Sequence, residues 1–244
     1  MKTVSGLKIK LFADGADKKG MLEMYQNPMI QGFTTNPTLM RKAGITDYQD
    51  FALDILKTIK DKSISFEVFA DEFDEMEEQA RQIASWGENV MVKIPVTNTQ
   101  GEFAGKLIKK LSSDGIALNI TAILTLDQVQ AIADCLSPKT PAIISVFAGR
   151  IADTGIDPVP VMQEALSILK ELPKAELLWA SPRELLNVVQ ADQVGCHIIT
   201  ATHDLLNKLH LLGKDLTDYS LDTVKMFYRD AQAAGFQIAA VETA

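Results

Sequence analysis

The sequence predicts an α/β protein, a single (β/α)8 barrel spanning residues 1–244 with a helix at its C-terminal end. Three observations predict it. First, eight apolar clusters rich in β-branched and aromatic residues recur along the chain, and a segment of helical spacing follows each one; this rhythm, repeated within about 210 residues, is that of a barrel of near-minimal length. Second, the competing architecture, a doubly wound nucleotide-binding sheet, should carry GxGxxG or GxxxxGK(S/T) after its first strand, and neither occurs. The nearest segment, GEFAGK at 101–106, is one residue short and lacks the Ser/Thr. Third, polar residues stand at the carboxyl ends of most of the strands, the ends that a closed barrel gathers on one face.

The predicted strands, in order, are 8–13 (KIKLFA), 30–34 (IQGFT), 64–70 (ISFEVFA), 89–95 (NVMVKIP), 116–121 (GIALNIT), 142–147 (AIISVF), 175–180 (AELLWA) and 196–200 (CHIIT). The helical segments are 17–27, 47–61, 73–86, 103–112, 125–135, 158–171, 182–191 and 202–211, with a further helix at 218–235. The spacing is clearest in 73–86, where Phe73, Met76, Ala80, Ile83 and Ala84 share one face while Asp74, Glu75, Glu77 and Glu78 face water. No linker or low-complexity stretch interrupts the pattern.

Composition narrows the function classes. The chain is 47% hydrophobic and 23% charged, which excludes disorder, collagen and coiled coil and allows a sizeable core. No uninterrupted apolar run approaches the roughly 18 residues of a membrane span, and the start MKTVSGLKIKLFADGAD meets Lys and Asp before any signal-peptide core. A cytoplasmic protein without membrane partners is expected. With 24 Lys+Arg against 32 Asp+Glu, the net charge of −8 argues against a broad nucleic-acid footprint but permits a few arginines to converge on a small anion. Cys135 and Cys196 form no CxxC pattern and read as core thiols. His197, His203 and His210 lack HExxH or carboxylate-flanked spacing, so no metal and no cofactor is expected.

Lys93 is the most informative residue, because it lies within Val-Met-Val-Lys-Ile-Pro-Val, a run that reads as a strand buried on both faces. Burial disfavours the ammonium form, and only the free amine attacks a carbonyl to form a Schiff base; the plainer reading is a strand-end lysine whose stem reaches water. Glu67, in SFEVFA, is a second charge in an apolar strand, either paired with Lys93 or chemically employed. Asp14, before Gly15, reads on local grounds as a turn former or helix cap rather than a chemical group, and Asn36-Pro37 as turn chemistry leading into a helix. Arg150 and Arg183 follow strands six and seven, where with Ser181 they could grip a phosphate or simply form surface ion pairs.

Several motifs together carry a family resemblance: Thr-Thr-Asn-Pro at 34–37, Val-Lys-Ile-Pro at 92–95, Asn-Ile-Thr at 119–121, Ser-Val-Phe-Ala-Gly-Arg at 145–150 and Ala-Ser-Pro-Arg at 180–183. In this order the chain resembles the transaldolase family over essentially the full barrel, and at this length its short bacterial-type subgroup, which also contains the fructose-6-phosphate aldolases. The resemblance implies a cofactor-free enzyme in which Lys93 forms an imine with a ketose phosphate, Asp14 is the general base, and Glu67 with Thr121 holds a catalytic water. It further implies that Thr34, Asn36, Asn119 and Ser145 orient a three-carbon unit, that Arg150, Ser181 and Arg183 clamp phosphate, and that the protein is a homo-oligomer, a pentamer or decamer.

Two positions separate the subgroups. Phe147 stands where the resembled transaldolases carry Phe and the aldolases Tyr, and Glu67 where the aldolases carry Gln; both favour transfer over release of free dihydroxyacetone. The chain departs from the pattern at Pro182, where Phe is usual, and at Gly15, where Thr is usual. The other readings are an aldolase and a noncatalytic sugar-phosphate-binding barrel; against the last stands the presence of Lys93, Asp14 and Glu67 together, since binding alone needs no imine lysine. For the C-terminal helix, Leu221, Val224, Met226, Phe227 and Ala231 are available to pack.

Overall fold

The computed structural model describes residues 4–238. Eight parallel strands close into a barrel in sequence order: β1 (Lys10–Asp14), β2 (Ile30–Thr34), β3 (Ser63–Glu67), β4 (Val90–Pro95), β5 (Leu118–Ile123), β6 (Ala142–Val146), β7 (Ala175–Trp179) and β8 (Ile198–Thr202), with β8 pairing back onto β1. Around them run α1 (Lys18–Gln26), α2 (Pro37–Lys42), α3 (Tyr48–Thr58), α4 (Phe73–Ala84), α5 (Gly105–Ser113), α6 (Leu126–Ala133), α7 (Ala148–Asp153), α8 (Pro158–Leu169), α9 (Leu185–Val194), α10 (His203–Leu206) and α11 (Leu216–Ala234).

The apolar runs are strands because both of their faces are covered. One face packs against the helices in the main core, which includes Phe33, Phe66, Ile94, Ile120, Ile144 and Trp179. The other contributes to a smaller cluster, Phe12, Met91, Ile143, Leu178, Ala180 and Ile198, with Phe147 packed on it. Helix starts follow capping chemistry: Asp17, Asn36, Asp47 and Thr125 each accept a backbone N–H of the first turn, and Pro37 follows Asn36 as the first residue of α2.

Some boundaries differ from those expected. The helix expected at 182–191 begins only at Leu185, because Oδ1 of the Asn187 side chain accepts the backbone N–H groups of Arg183 and Glu184 and turns the chain into the helix there. The segment 202–211 divides into α10 and a 3-10 turn at Leu209–Leu211, which still buries Leu205, Leu206 and Leu209. Two short helices, α2 and α7, were not delimited by periodicity, since six residues give too few turns to display it. Of the two thiols, Cys196 is buried and pushed up to about 12 by that burial, whereas Cys135 is only half-buried.

The C-terminal helix is present, but none of its residues is buried: Leu221, Val224, Met226 and Phe227 are all exposed. No helix among the described residues is long and apolar enough to cross a membrane. Nor do they contain a cluster of three His, Cys, Asp or Glu side chains suited to a metal.

Candidate active site

The carboxyl ends of the strands surround a cavity of about 570 Å3, lined by Asp14, Thr34, Asn36, Glu67, Lys93, Thr121, Ser145, Phe147, Arg150, Ser181 and Arg183. Of the residues predicted to form a site, only Asn119 is not on this wall. It is fully buried, its Nδ2 donating to Ser65 Oγ (2.9 Å) and its Oδ1 accepting from Ser145 Oγ (2.7 Å), so it anchors the wall residue Ser145 from below.

Strand register brings two charged side chains together. Glu67 and Lys93 are partners across β3 and β4, and their side chains meet with Nζ 3.2 Å from Oε2. Nζ also donates to the Thr35 carbonyl at 3.0 Å, and Lys93 is 7% exposed. Glu67 is held by its backbone: the Tyr48 hydroxyl accepts the Glu67 N–H (2.7 Å) and donates to the Glu67 carbonyl (3.0 Å). Burial pushes the Tyr48 phenol up, which keeps that donor protonated. Tyr48 is itself fixed edge-on by Phe66, Phe69 and Trp86.

Asp14 ends β1 opposite Thr34. The Thr34 hydroxyl donates to its Oδ1 at 2.8 Å and lies 2.5 Å from the Thr200 hydroxyl. Because the single Thr34 proton is committed to Asp14, Thr200 donates to Thr34, and a relay of two hydroxyls ends on the carboxylate. Burial raises the Asp14 carboxyl above the usual aspartate range, against the opposing pulls of the Lys93 charge, the Thr34 hydrogen bond and His203.

Two strained residues shape the wall. Ala122, where β5 shifts register against β6, has φ 61°, and Ser181, after β7, has φ 60°; such left-handed backbone in non-glycine residues clusters at functional sites. Beside Ala122, Thr121 Oγ1 is buried without a hydrogen-bond partner among the described residues, on the wall of the same cavity.

On the far side of the cavity the Arg150 guanidinium lies over the Phe147 ring, 5.3 Å from its centroid. Arg183 donates from Nε and Nη2 to both carboxylate oxygens of Asp153, and from Nη1 to Ser181 Oγ at 3.0 Å. The ordinary ion pair that the sequence left open is therefore present at Arg183, and it points Nη1 at Ser181.

A family model described as Transaldolase/Fructose-6-phosphate aldolase matches residues 11–242. The chain belongs to this transaldolase/fructose-6-phosphate aldolase family. Among transaldolase-family relatives, a probable transaldolase from Dehalococcoides mccartyi is 34% identical over 86% of this chain and 93% of its own. One from Brucella anthropi is 34% identical over 95% of this chain and the whole of its own. Solved structures share the fold: dihydrodipicolinate synthase from Rhodopseudomonas palustris has a TM-score of 0.57 at 14% identity, covering 94% of this chain and 81% of that one. The aldolase QR15 has a TM-score of 0.55 at 12% identity, covering 84% and 97%.

Several wall residues of this transaldolase-family barrel escaped the sequence reading. Thr200 carried the same signal as the rest, a polar residue near the end of a barrel strand. Lys42 and Leu39 reach the wall from α2, whose helical nature was not delimited, and Tyr48 and Asp153 act from behind the wall, where no local pattern marks them.

Proposed function

We propose that this protein is a class I transaldolase that moves a dihydroxyacetone unit from a ketose phosphate to an aldose phosphate through a Schiff base on Lys93. The observation that carries the reading is a nearly buried lysine amine at the carboxyl end of a barrel strand, paired with Glu67 in the cavity that Asp14 also lines. The Lys93 amine, having passed a proton to Glu67 or to a water held by Glu67 and Thr121, attacks C2 of the ketose. Loss of the C2 oxygen as water leaves a protonated imine. Asp14 then takes the proton of the C4 hydroxyl, the C3–C4 bond breaks, and its electron pair enters the imine to form an enamine as the aldehyde leaves. An acceptor aldehyde adds to the enamine, Asp14 returns the proton to the new hydroxyl, and water hydrolyses the imine.

In this reading Thr34, Asn36 and Ser145 orient the hydroxyls of the three-carbon unit, and Asn119 acts through Ser145. Arg150, Ser181 and Arg183 receive phosphate, with Asp153 orienting the last. The preference for transfer over release rests on Phe147 and Glu67. The protein is further proposed to be a homo-oligomer in which the apolar residues of α11 pack on a second copy, since a 19-residue helix with no buried residue otherwise leaves Leu221, Val224 and Phe227 in water.

Borohydride reduction in the presence of fructose 6-phosphate tests the mechanism. A three-carbon adduct on Lys93, and its loss in Lys93→Met together with turnover, is expected. An adduct on another lysine, or full activity in that variant, would overturn it.

A further inference from the structure

Thr200 stands two residues before the end of β8. Its neighbours Ile199 and Ala201 belong to the core under the helices and Ile198 to the interior cluster, so the alternation of the strand turns Thr200 into the barrel, on the cavity side of Ile198. β8 and β2 flank β1, and alternate strands supply one interior layer of a barrel. Thr200 and Thr34 accordingly meet across β1, hydroxyl to hydroxyl at 2.5 Å, and Thr34 reaches Asp14 Oδ1 at 2.8 Å. Phe12, the β1 partner of both Thr200 and Gly32, fills the room that Gly32 leaves bare, where a Cβ would fall 2.4 Å from the ring. The two hydroxyls are nearly buried and rest on this apolar ground, and among the described residues they bond only to each other and to Asp14.

Counting protons fixes what each hydroxyl can do. A threonine hydroxyl has one proton and two lone pairs. With Asp14 ionised, the Thr34 proton points at Oδ1 and the Thr200 proton at Thr34, so Thr200 turns only lone pairs toward the cavity that it lines. There it accepts from a hydroxyl and has nothing to give a carbonyl or phosphate oxygen. Thr34, which donates to Asp14 and accepts from Thr200, is the inner link of the chain. Both links lie at or below the reach over which a catalytic base takes a proton, about 2.6–3.2 Å.

We propose that Thr200 is a further catalytic residue, the cavity-facing end of a proton relay: a substrate hydroxyl donates to Thr200, and a proton is carried through Thr34 to Asp14 as the C3–C4 bond breaks. The inference rests on the reading of Asp14 as the group that takes the substrate proton. In this step the substrate O–H bond breaks and a new O–H bond forms at Thr200. The original Thr200 proton passes to Thr34, and the original Thr34 proton passes to Asp14 Oδ1. Each threonine ends with one proton, as it began, and Asp14 holds the equivalent of the one the substrate lost. Both hydroxyls then point the opposite way, so Thr200 offers a proton to the cavity, and addition of an acceptor aldehyde runs the chain in reverse. The relay gives the hydroxyl at 200 a use, which an Asp14 acting directly on the substrate would not need. Hydrogen bonds in a chain on apolar ground also strengthen one another.

Borohydride trapping of the full-length protein with fructose 6-phosphate separates imine formation from cleavage: uncleaved substrate leaves a six-carbon adduct on Lys93, cleaved substrate a three-carbon one, and mass spectrometry gives their ratio. Thr200→Val removes the hydroxyl and keeps the shape. It should raise the share of the six-carbon adduct and lower kcat about tenfold, the scale of one charge-assisted hydrogen bond, with KM changed less. Thr34→Val cuts the same relay and should raise that share likewise, and the double variant should raise it no further. Thr200→Ser, which keeps the hydroxyl, should return the ratio to that of wild type. Should Thr200→Val not fold, Thr200→Ala is read in its place. An unchanged ratio in the Thr200 variant, including one in which both adducts fall in proportion, overturns the proposal, as does a rise at Thr200 without one at Thr34. In either case the wild-type adduct on Lys93 still stands, whereas its absence from wild type overturns the reaction assigned above and the relay with it.

Discussion

The carbonyl oxygen of Ser181 occupies the space in which a side chain on Gly149 would begin: a Cβ there would lie 1.6 Å from it. Gly149 is the second residue of α7, and its N–H donates to the Ala180 carbonyl at 3.3 Å. The contact explains how Ser181 keeps its left-handed backbone, since the β7 exit is pressed onto a bare helix. It also joins the two segments that bring Arg150 and Arg183 to one side of the cavity.

Gly149→Ala should therefore displace the segment from Ser181 to Arg183 rather than only crowd α7. The expected cost is about 1–3 kcal/mol of stability, as for other overpacked contacts, together with weaker competitive inhibition by inorganic phosphate. Thermal denaturation and inhibition kinetics read the two effects, and an unchanged phosphate inhibition constant would separate the glycine from the proposed anion site.

Arg150→Ala is the cleaner probe of phosphate binding, because Arg183→Ala would also leave Asp153 without its partner. Phosphorylated substrates should bind about 1.5–3 kcal/mol more weakly, the usual worth of a charged hydrogen bond, while an unphosphorylated acceptor changes little. Equal losses for both would assign Arg150 to packing on Phe147.

The raised Asp14 carboxyl has a consequence for stability. A group whose folded pKa is raised stabilises the fold fully below its unfolded pKa and loses that contribution as pH rises through the folded value. Wild type thus carries the cost of an ionised buried carboxylate at neutral pH, and Asp14→Asn, which is neutral throughout, does not. The variant should melt at a higher temperature than wild type at pH 7, with the gap closing as pH falls to the ordinary aspartate range. A gap that is constant with pH would contradict the raised value.

Phe147 tests the choice between transfer and release. Phe147→Tyr would add a hydroxyl in the cavity wall, able to order water against the three-carbon adduct. Release of free dihydroxyacetone should rise and transfer to erythrose 4-phosphate should fall; about 1.4 kcal/mol in either barrier shifts the partition tenfold. The measured quantity is the ratio of released ketone to transferred product. A wild type that already releases faster than it transfers would place the protein with the aldolases.

The barrel was legible because its signal is local and repeated: each strand is a short apolar run and each long helix an amphipathic stretch, so eight modest signals combine. The wall was legible for a related reason. A polar side chain inside an apolar strand, as at Glu67 and Lys93, is anomalous where it stands, and the closed topology gathers such anomalies on one face. By itself the sequence determined the strand order and, with the family resemblance its motifs carry, eleven of the nineteen residues that line the cavity.

What only the tertiary structure decided is which polar atoms are already spent and which remain open. Asn119 is occupied by Ser65 and Ser145, and Arg183 by Asp153, whereas Thr121 Oγ1 and His203 Nε2 are left without partners among the described residues. Tyr48, 19 residues before Glu67, clamps that residue's backbone, and His203 comes from β8 to stand behind a glycine of β1. No local pattern encodes such pairings. They arise when strands far apart in the chain close into a ring, and the hydrogen-bonding capacity of each buried group is divided among neighbours that only the closed barrel brings within reach.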